Sequence, residues 1–177
     1  MSLPEIAGHE LQSLIGSGFC GAVYRAVDSN GEACAVKVFG SMSVNRRTLA
    51  ATMRALQHMP AHAGVLPIYS YSFDQSPYYA VTPLVGEEQP DSEGQPGWRT
   101  LTLENLCGKV SANEAWEYIY EIADAIGWMH RSRIPHGNLR ASNVIIQAGQ
   151  ETSTRITDPG QGSVSYTHLR AHETEAD

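Results

Sequence analysis

Cysteine is scarce in this 177-residue chain: Cys20, Cys34 and Cys107 are few, odd in number and far apart, with no CxxC pair and no histidine at metal-ligand offsets. That excludes a disulfide framework and a zinc site, and reduced thiols point to the cytoplasm. Lysine is scarcer still. It stands only at 37 and 109, arginine supplying every other basic residue, so a lysine inside a motif merits inspection. Long apolar runs are missing: nothing approaches the roughly 18 residues of a membrane helix, and MSLPEIAGHE has no charged leader followed by an apolar run. No membrane contact by this segment is expected. Positive charge is in deficit, with 12 Lys and Arg against 19 Asp and Glu for a net charge of -7. This argues against nucleic acid or an anionic membrane surface as a partner. Carboxylates are absent from Ala33 to Phe73 and from Ala125 to Gln150, so chemistry in those spans has no local carboxylate base.

What is present suits one domain of one or two lobes, since 42% of the residues are hydrophobic and no internal repeat occurs. From Glu10 to Phe39, strand-like runs alternate with glycine punctuation and a turn at Ser29 to Gly31, which predicts three antiparallel strands. Leu49, Met53 and Leu56 predict a helix over 45–59, capped by Ser43 or Asn45 and stopped by Pro60. VLPIYSYSF and PYYAVTPLV predict a further pair of strands. GEEQPDSEGQPGWRT, residues 86–100, reads as a polar surface loop. SANE, from Ser111, is a capping box for a helix with Ala115, Ile119, Ile122, Ile126 and Met129 as its buried stripe. Glu114, Glu117, Glu121 and Asp124 are its expected wet side.

Three stretches could carry chemistry. In GSGFCGAVY, residues 16–24, glycines at 16, 18 and 21 allow close backbone approach to phosphates, and Val23 would cover an apolar ring. Ordinary glycine turns match this pattern often, and the strand on either side argues against a dinucleotide fold, which needs a helix there. In CAVKVF, Lys37 lies among apolar strand residues and needs a counter-charge that bound phosphate would supply. The third stretch is HGNLRASN, residues 136–143, with RITDPG, residues 155–160.

In order and spacing the three stretches resemble the eukaryotic-like Ser/Thr protein kinase family, including its bacterial members, from about Glu10 to Gly160. The resemblance implies an α+β, protein-kinase-like fold: an antiparallel five-stranded N-lobe with one helix over about 1–85, a hinge or insertion over about 86–100, and the upper part of a helical C-lobe over 101–162. It implies ATP and Mg²⁺ as cofactors. Gly16, Gly18 and Gly21 would form the phosphate loop, Val23 and Ala35 the adenine-facing roof, and Lys37 the phosphate anchor. His136, Asn138 and Asn143 match the catalytic-loop His, Asp and Asn, Arg140 the loop lysine, and Asp158 the metal-binding Asp, with Asn143 as its partner on the metal.

Four departures accompany these matches. Asn138 replaces the aspartate that orients the acceptor hydroxyl, and an amide has negligible basicity. Thr52 stands at the place of the helix Glu, so Lys37 would lack its ion pair. Pro159 replaces an aromatic and restricts Asp158 before it. Gly137 replaces a frequent arginine. The HG spelling also resembles aminoglycoside and choline kinases, whose glycine loop is looser. The final SVSYTHLRAHETEAD, residues 163–177, resembles a translated sequencing adapter and reads as extraneous. The native product would then be longer, and helix 111–130 would expose apolar surface that later helices cover. The expected function is an ATP-binding pseudokinase, regulatory or scaffolding, with an unidentified protein partner. The alternative is an atypical, weakly active Ser/Thr kinase moving the ATP γ-phosphate to protein hydroxyls. In a third reading Pro159 closes the pocket and only a protein partner binds.

Overall fold

Glycine-punctuated alternation at the N-terminus folds as three antiparallel strands, β1 (His9–Gly18), β2 (Gly21–Asp28) and β3 (Ala33–Phe39). The computed structural model describes residues 3–18, 20–40, 45–90, 96–147 and 153–160. The β2–β3 turn is held by the Asp28 carboxylate, which accepts hydrogen bonds from the backbone N–H of Asn30 and of Glu32, both at 2.8 Å. Helix α1 (Arg46–His58) follows, its first turn capped by the Asn45 side chain, which accepts from the Thr48 N–H at 3.2 Å. Its other expected cap, Ser43, lies outside the described residues. Leu49 and Met53 are the residues that α1 buries, against Phe39, Phe73 and Ala80. Met59 ends the helix in an extended conformation, as a residue preceding proline favours.

Strands β4 (Ser70–Ser72) and β5 (Tyr78–Pro83) complete an antiparallel sheet in the order β1-β2-β3-β5-β4. The fold is protein-kinase-like: a five-stranded antiparallel N-lobe sheet with one helix and part of a helical C-lobe. Ile6, Leu11, Ala26, Cys34, Val36 and Val81 form the core on the sheet. A second core below it gathers Val65, Ala125, Met129, Ile134, Val144, Ile146 and Ile156. The chain after α1 reaches down to it, with Ile156 donating to the Gly64 carbonyl and Leu66 to the Ile156 carbonyl.

Three sequence expectations need correction. The 86–100 stretch contains a hairpin, β6 (Glu87–Pro90) with β7 (Pro96–Arg99), whose pairing no apolar alternation announces. Beyond the short α2 (Leu103–Leu106), helix α3 (Ala112–Arg131) carries the predicted Ser111–Glu114 capping box. Its buried face keeps Ile122, Ile126 and Met129 of the expected stripe and adds Tyr118, Ala125 and Trp128, while Ile119 is 52% exposed. Spacing fixes a stripe's period, not how far along and around the helix its neighbours reach. Glu121, expected to be wet, is half-buried, its carboxylate accepting from the N–H groups of Ser153 (2.9 Å) and Thr154 (2.8 Å). These lead into β9 (Thr154–Ile156), which pairs antiparallel with β8 (Val144–Ile146). The 163–177 tail lies outside the described residues. Among the described residues no helix is long and apolar enough to cross a membrane.

Candidate functional site

A cleft of about 290 Å³ opens beneath the sheet, between β1, β2 and β3 on one side and the β8–β9 region on the other. Ile15, Gly16, Val23 and Ala35 line it from the sheet, Lys37 and Asp158 at its polar end. Gly16 is thus the only one of the three loop glycines on the lining. Gly21 has its own structural reason: its φ is +145°, and a Cβ there would collide with the Val38 carbonyl oxygen of β3. Gly18 has no neighbour in the path of a Cβ.

Lys37 is part of an ion pair, although not with α1. Its Nζ lies 2.5 Å from Asp158 Oδ2, the two side chains being 14% and 24% exposed. Thr52 packs instead against Gly160, whose added Cβ would meet Thr52 Oγ1 at 3.0 Å. With α1 carrying no carboxylate, the acid next to the third core strand is the one 121 residues further on. Pro159 lines the cleft rather than filling it. The expected restriction of Asp158 to extended backbone does not occur: its φ is +60°. Aspartate tolerates that left-handed region through its short polar side chain, and the conformation is held on both sides. Lys37 binds the carboxylate, and the Gly160 N–H donates to the His136 carbonyl at 2.6 Å.

His136, Asn138, Arg140 and Asn143 stand beside the cleft as one hydrogen-bonded unit, none of them on its lining. The Asn138 side-chain oxygen accepts from Arg140 Nη2 at 2.7 Å, and its backbone carbonyl accepts from Asn143 Nδ2 at 2.8 Å. His136 is buried, its ring meeting the Asn138 N–H and the Thr157 carbonyl. The Asn143 carbonyl accepts from the Thr157 N–H at 2.9 Å. Loop and Asp158 segment are therefore locked together, placing Asn143 near the acid.

An Mg²⁺ ion fits this donor set in part. Asn143 directs its N–H at Asn138, which leaves its amide oxygen as the donor a hard cation prefers, and Asp158 supplies one carboxylate. Among the described residues no group of three or more His, Cys, Asp or Glu could hold a metal. Such an ion would need phosphate oxygens as well. The sequence reading missed Ile15, Thr82, Pro83, Val85, Thr100 and Thr102, which also line the cleft. They carry no motif; their only signal is position, at the end of β1, at the end of β5 and across the following hairpin.

The decisive comparison is with the protein kinase domain family, whose model matches residues 9–174. This chain belongs to the protein kinase domain family. It is 29% identical over 156 residues to Aurora/IPL1-related protein kinase 2 of Caenorhabditis briggsae, covering 85% of this chain and 47% of that protein. Against the Aurora kinase of Saccharomyces cerevisiae the identity is 28% over 156 residues, covering 85% and 39%. The chain thus spans less than half the length of these curated relatives. They are nematode and yeast proteins and do not carry the bacterial expectation. The crystal structure of the kinase domain of maize sucrose-induced receptor kinase 1, bound to AMP-PNP, matches with a TM-score of 0.65 at 20% identity. That match covers 90% of this chain and 55% of the maize chain, a likeness of fold.

Proposed function

We propose that this kinase domain is a pseudokinase-like module that binds ATP, with Mg²⁺ on Asn143 and Asp158, and transfers phosphate poorly or not at all. One observation carries the reading. At the position of the family's base stands the amide of Asn138, whose oxygen accepts a hydrogen bond from the Arg140 guanidinium at 2.7 Å. A neutral amide does not accept a hydroxyl proton, and loss of a general base costs roughly 10²–10⁴ in rate. Among the described residues Asp158 is the only carboxylate on the cleft lining, and Lys37 binds it. The apolar walls suit a flat ring, and the Lys37 end suits its phosphates. Gly16, Gly18 and Gly21 remain the proposed phosphate loop, Val23 and Ala35 the roof.

A weakly active Ser/Thr kinase is the second reading, supported by Lys37 and Asp158 at one end of the cleft and Asn143 beside it. Phosphoryl transfer depends chiefly on positioning and charge, and those three groups supply both. We divide the chain at the hairpin: N-lobe over about 1–85, hinge and insertion over 86–100, partial C-lobe over 101–162. Free thiols at Cys20, Cys34 and Cys107 suit the cytoplasm.

The test has two parts. Calorimetric titration with ATP and Mg²⁺ should give weak binding that Lys37→Ala abolishes; no signal at millimolar nucleotide would leave only the partner-binding reading. Phosphate transfer to a generic protein and to the chain itself should not exceed the Lys37→Ala background, and transfer well above it would establish the enzyme. Asn138→Asp alone should recover little, because Arg140 is placed to pair with the new carboxylate and Lys37 still lacks a glutamate on α1. Catalytic groups acting as one unit are strongly non-additive. Asn138→Asp with Thr52→Glu should therefore exceed the sum of the two single changes.

A further inference from the structure

Where β5 leaves the sheet, the chain runs through Val85 and Gly86 before the β6–β7 hairpin doubles back. Val85 and Thr100, at the two ends of that excursion, both line the cleft. The Val85 carbonyl oxygen accepts two hydrogen bonds, from the Trp98 indole Nε1–H at 3.1 Å and from the Thr100 hydroxyl at 2.7 Å. A carbonyl oxygen has two lone pairs. Both are occupied.

The indole is held there from several sides. The Arg25 guanidinium carbon lies 5.3 Å from the Trp98 ring centroid, a cation–π distance. Arg25 Nη1 also bonds Glu88 of the same hairpin at 2.8 Å. Gly86, at φ +133°, permits the approach: a Cβ there would collide with the Arg99 carbonyl oxygen and lie 2.5 Å from Trp98 Nε1. Pro83, earlier on the same rim, has no N–H to offer.

We infer that Trp98 and Thr100 determine ligand specificity: by filling both lone pairs of the Val85 carbonyl they withhold an acceptor from the cleft, which therefore disfavours flat heteroaromatic ligands bringing an extra N–H donor to this rim. The inference rests on the nucleotide-binding reading and says which nucleobases the cleft prefers. A base carrying an added amino group must leave that donor unpaired or displace the indole or the hydroxyl, and either route weakens binding.

The test compares ATP with its 2-amino derivative, which differs by one exocyclic donor, titrated into the full chain with Mg²⁺. The unaltered protein should bind the 2-amino nucleotide no better than ATP. Trp98→Phe keeps a ring over Arg25 but removes the indole N–H, and Thr100→Val removes the hydroxyl at nearly constant shape. Together they should shift the affinity ratio toward the 2-amino nucleotide by roughly 2- to 12-fold, the range of one net hydrogen bond. Thr100→Val alone should move it part of the way, and that variant decides the matter if the double one does not fold. Binding of both nucleotides with a ratio that no folded variant moves would overturn the inference, as would a preference for the 2-amino nucleotide in the unaltered chain. Absence of binding by either nucleotide to any of the proteins is a different result: it removes the nucleotide reading, and this inference with it.

Discussion

The His136 imidazole is gripped by two backbone groups at once. Nδ1 accepts from the Asn138 N–H at 3.2 Å and Nε2 donates to the Thr157 carbonyl at 2.9 Å, which only the neutral ring protonated on Nε2 can satisfy. Burial pushes its pKa below the ordinary histidine value, while the Thr157 carbonyl and the Asp158 charge pull it partly back. The folded pKa is therefore lower than the unfolded one. As pH falls through about 6.5 the unfolded chain takes up a proton that the folded chain refuses, so the stability is fully present above that pH and declines toward the lowered folded value. Melting temperature should drop between pH 7 and pH 5.5, and the drop should be smaller in His136→Gln. Parallel pH profiles for the two proteins would show that His136 is not the group responsible. The sequence made such residues legible unevenly. His136, Asn138, Asn143 and Asp158 stood out because a motif fixes their spacing. The Lys37–Asp158 pair did not, since its members are 121 residues apart and the expected partner was sought on α1. Thr82, Val85 and Thr100 were invisible for another reason: an apolar or hydroxyl residue on a cleft wall has the same spelling as one in any strand end.

At the scale of elements, the five strands of the large sheet and both long helices followed from glycine punctuation, caps and apolar spacing, whereas the β6–β7 and β8–β9 hairpins and the exposure of Ile119 on α3 did not. The β6–β7 hairpin is stabilised by Trp98 and Arg25, contacts made outside its own sequence. Glu121 is the instructive residue on α3. Helical spacing put it with Glu117 and Asp124, yet the start of β9 presents two backbone N–H groups that need an acceptor, and its carboxylate meets both. Glu121→Ala leaves those donors unsatisfied in a half-buried place, which should cost about 1–3 kcal/mol. Glu121→Gln keeps one carboxamide oxygen and should cost less. Urea unfolding monitored by circular dichroism gives the comparison; an Ala variant within about 0.5 kcal/mol of the parent, the ordinary scatter of surface changes, would mean that water serves those N–H groups equally well.

For the whole molecule, the feature that composition does not foretell is where apolar surface remains outside. Trp116, Ile119 and Tyr120 on α3 are 59%, 52% and 70% exposed, and the Trp116 and Tyr120 rings lie 6.2 Å apart as a contiguous pair. Scattered exposed apolar residues are ordinary, but three large ones on adjacent turns of one helix make a patch that binds apolar dyes and favours aggregation. None of the three belongs to the buried core. Replacing them with polar residues should therefore remove dye-accessible surface while leaving folding energy nearly unchanged. The expectation for Trp116→Ser, Ile119→Lys and Tyr120→Ser combined is a clear loss of anilinonaphthalene sulfonate fluorescence and a higher soluble yield. The melting temperature should stay within about 4 °C of the parent, because a change of about 1 kcal/mol moves a chain of this size by roughly 2–4 °C. A fall well beyond that would show that these side chains pack against something in the folded chain, and unchanged dye binding would place the exposed apolar surface elsewhere. In either case the facing of α3 would have to be revised, and with it the position of Glu121 at the start of β9, since one helix sets both.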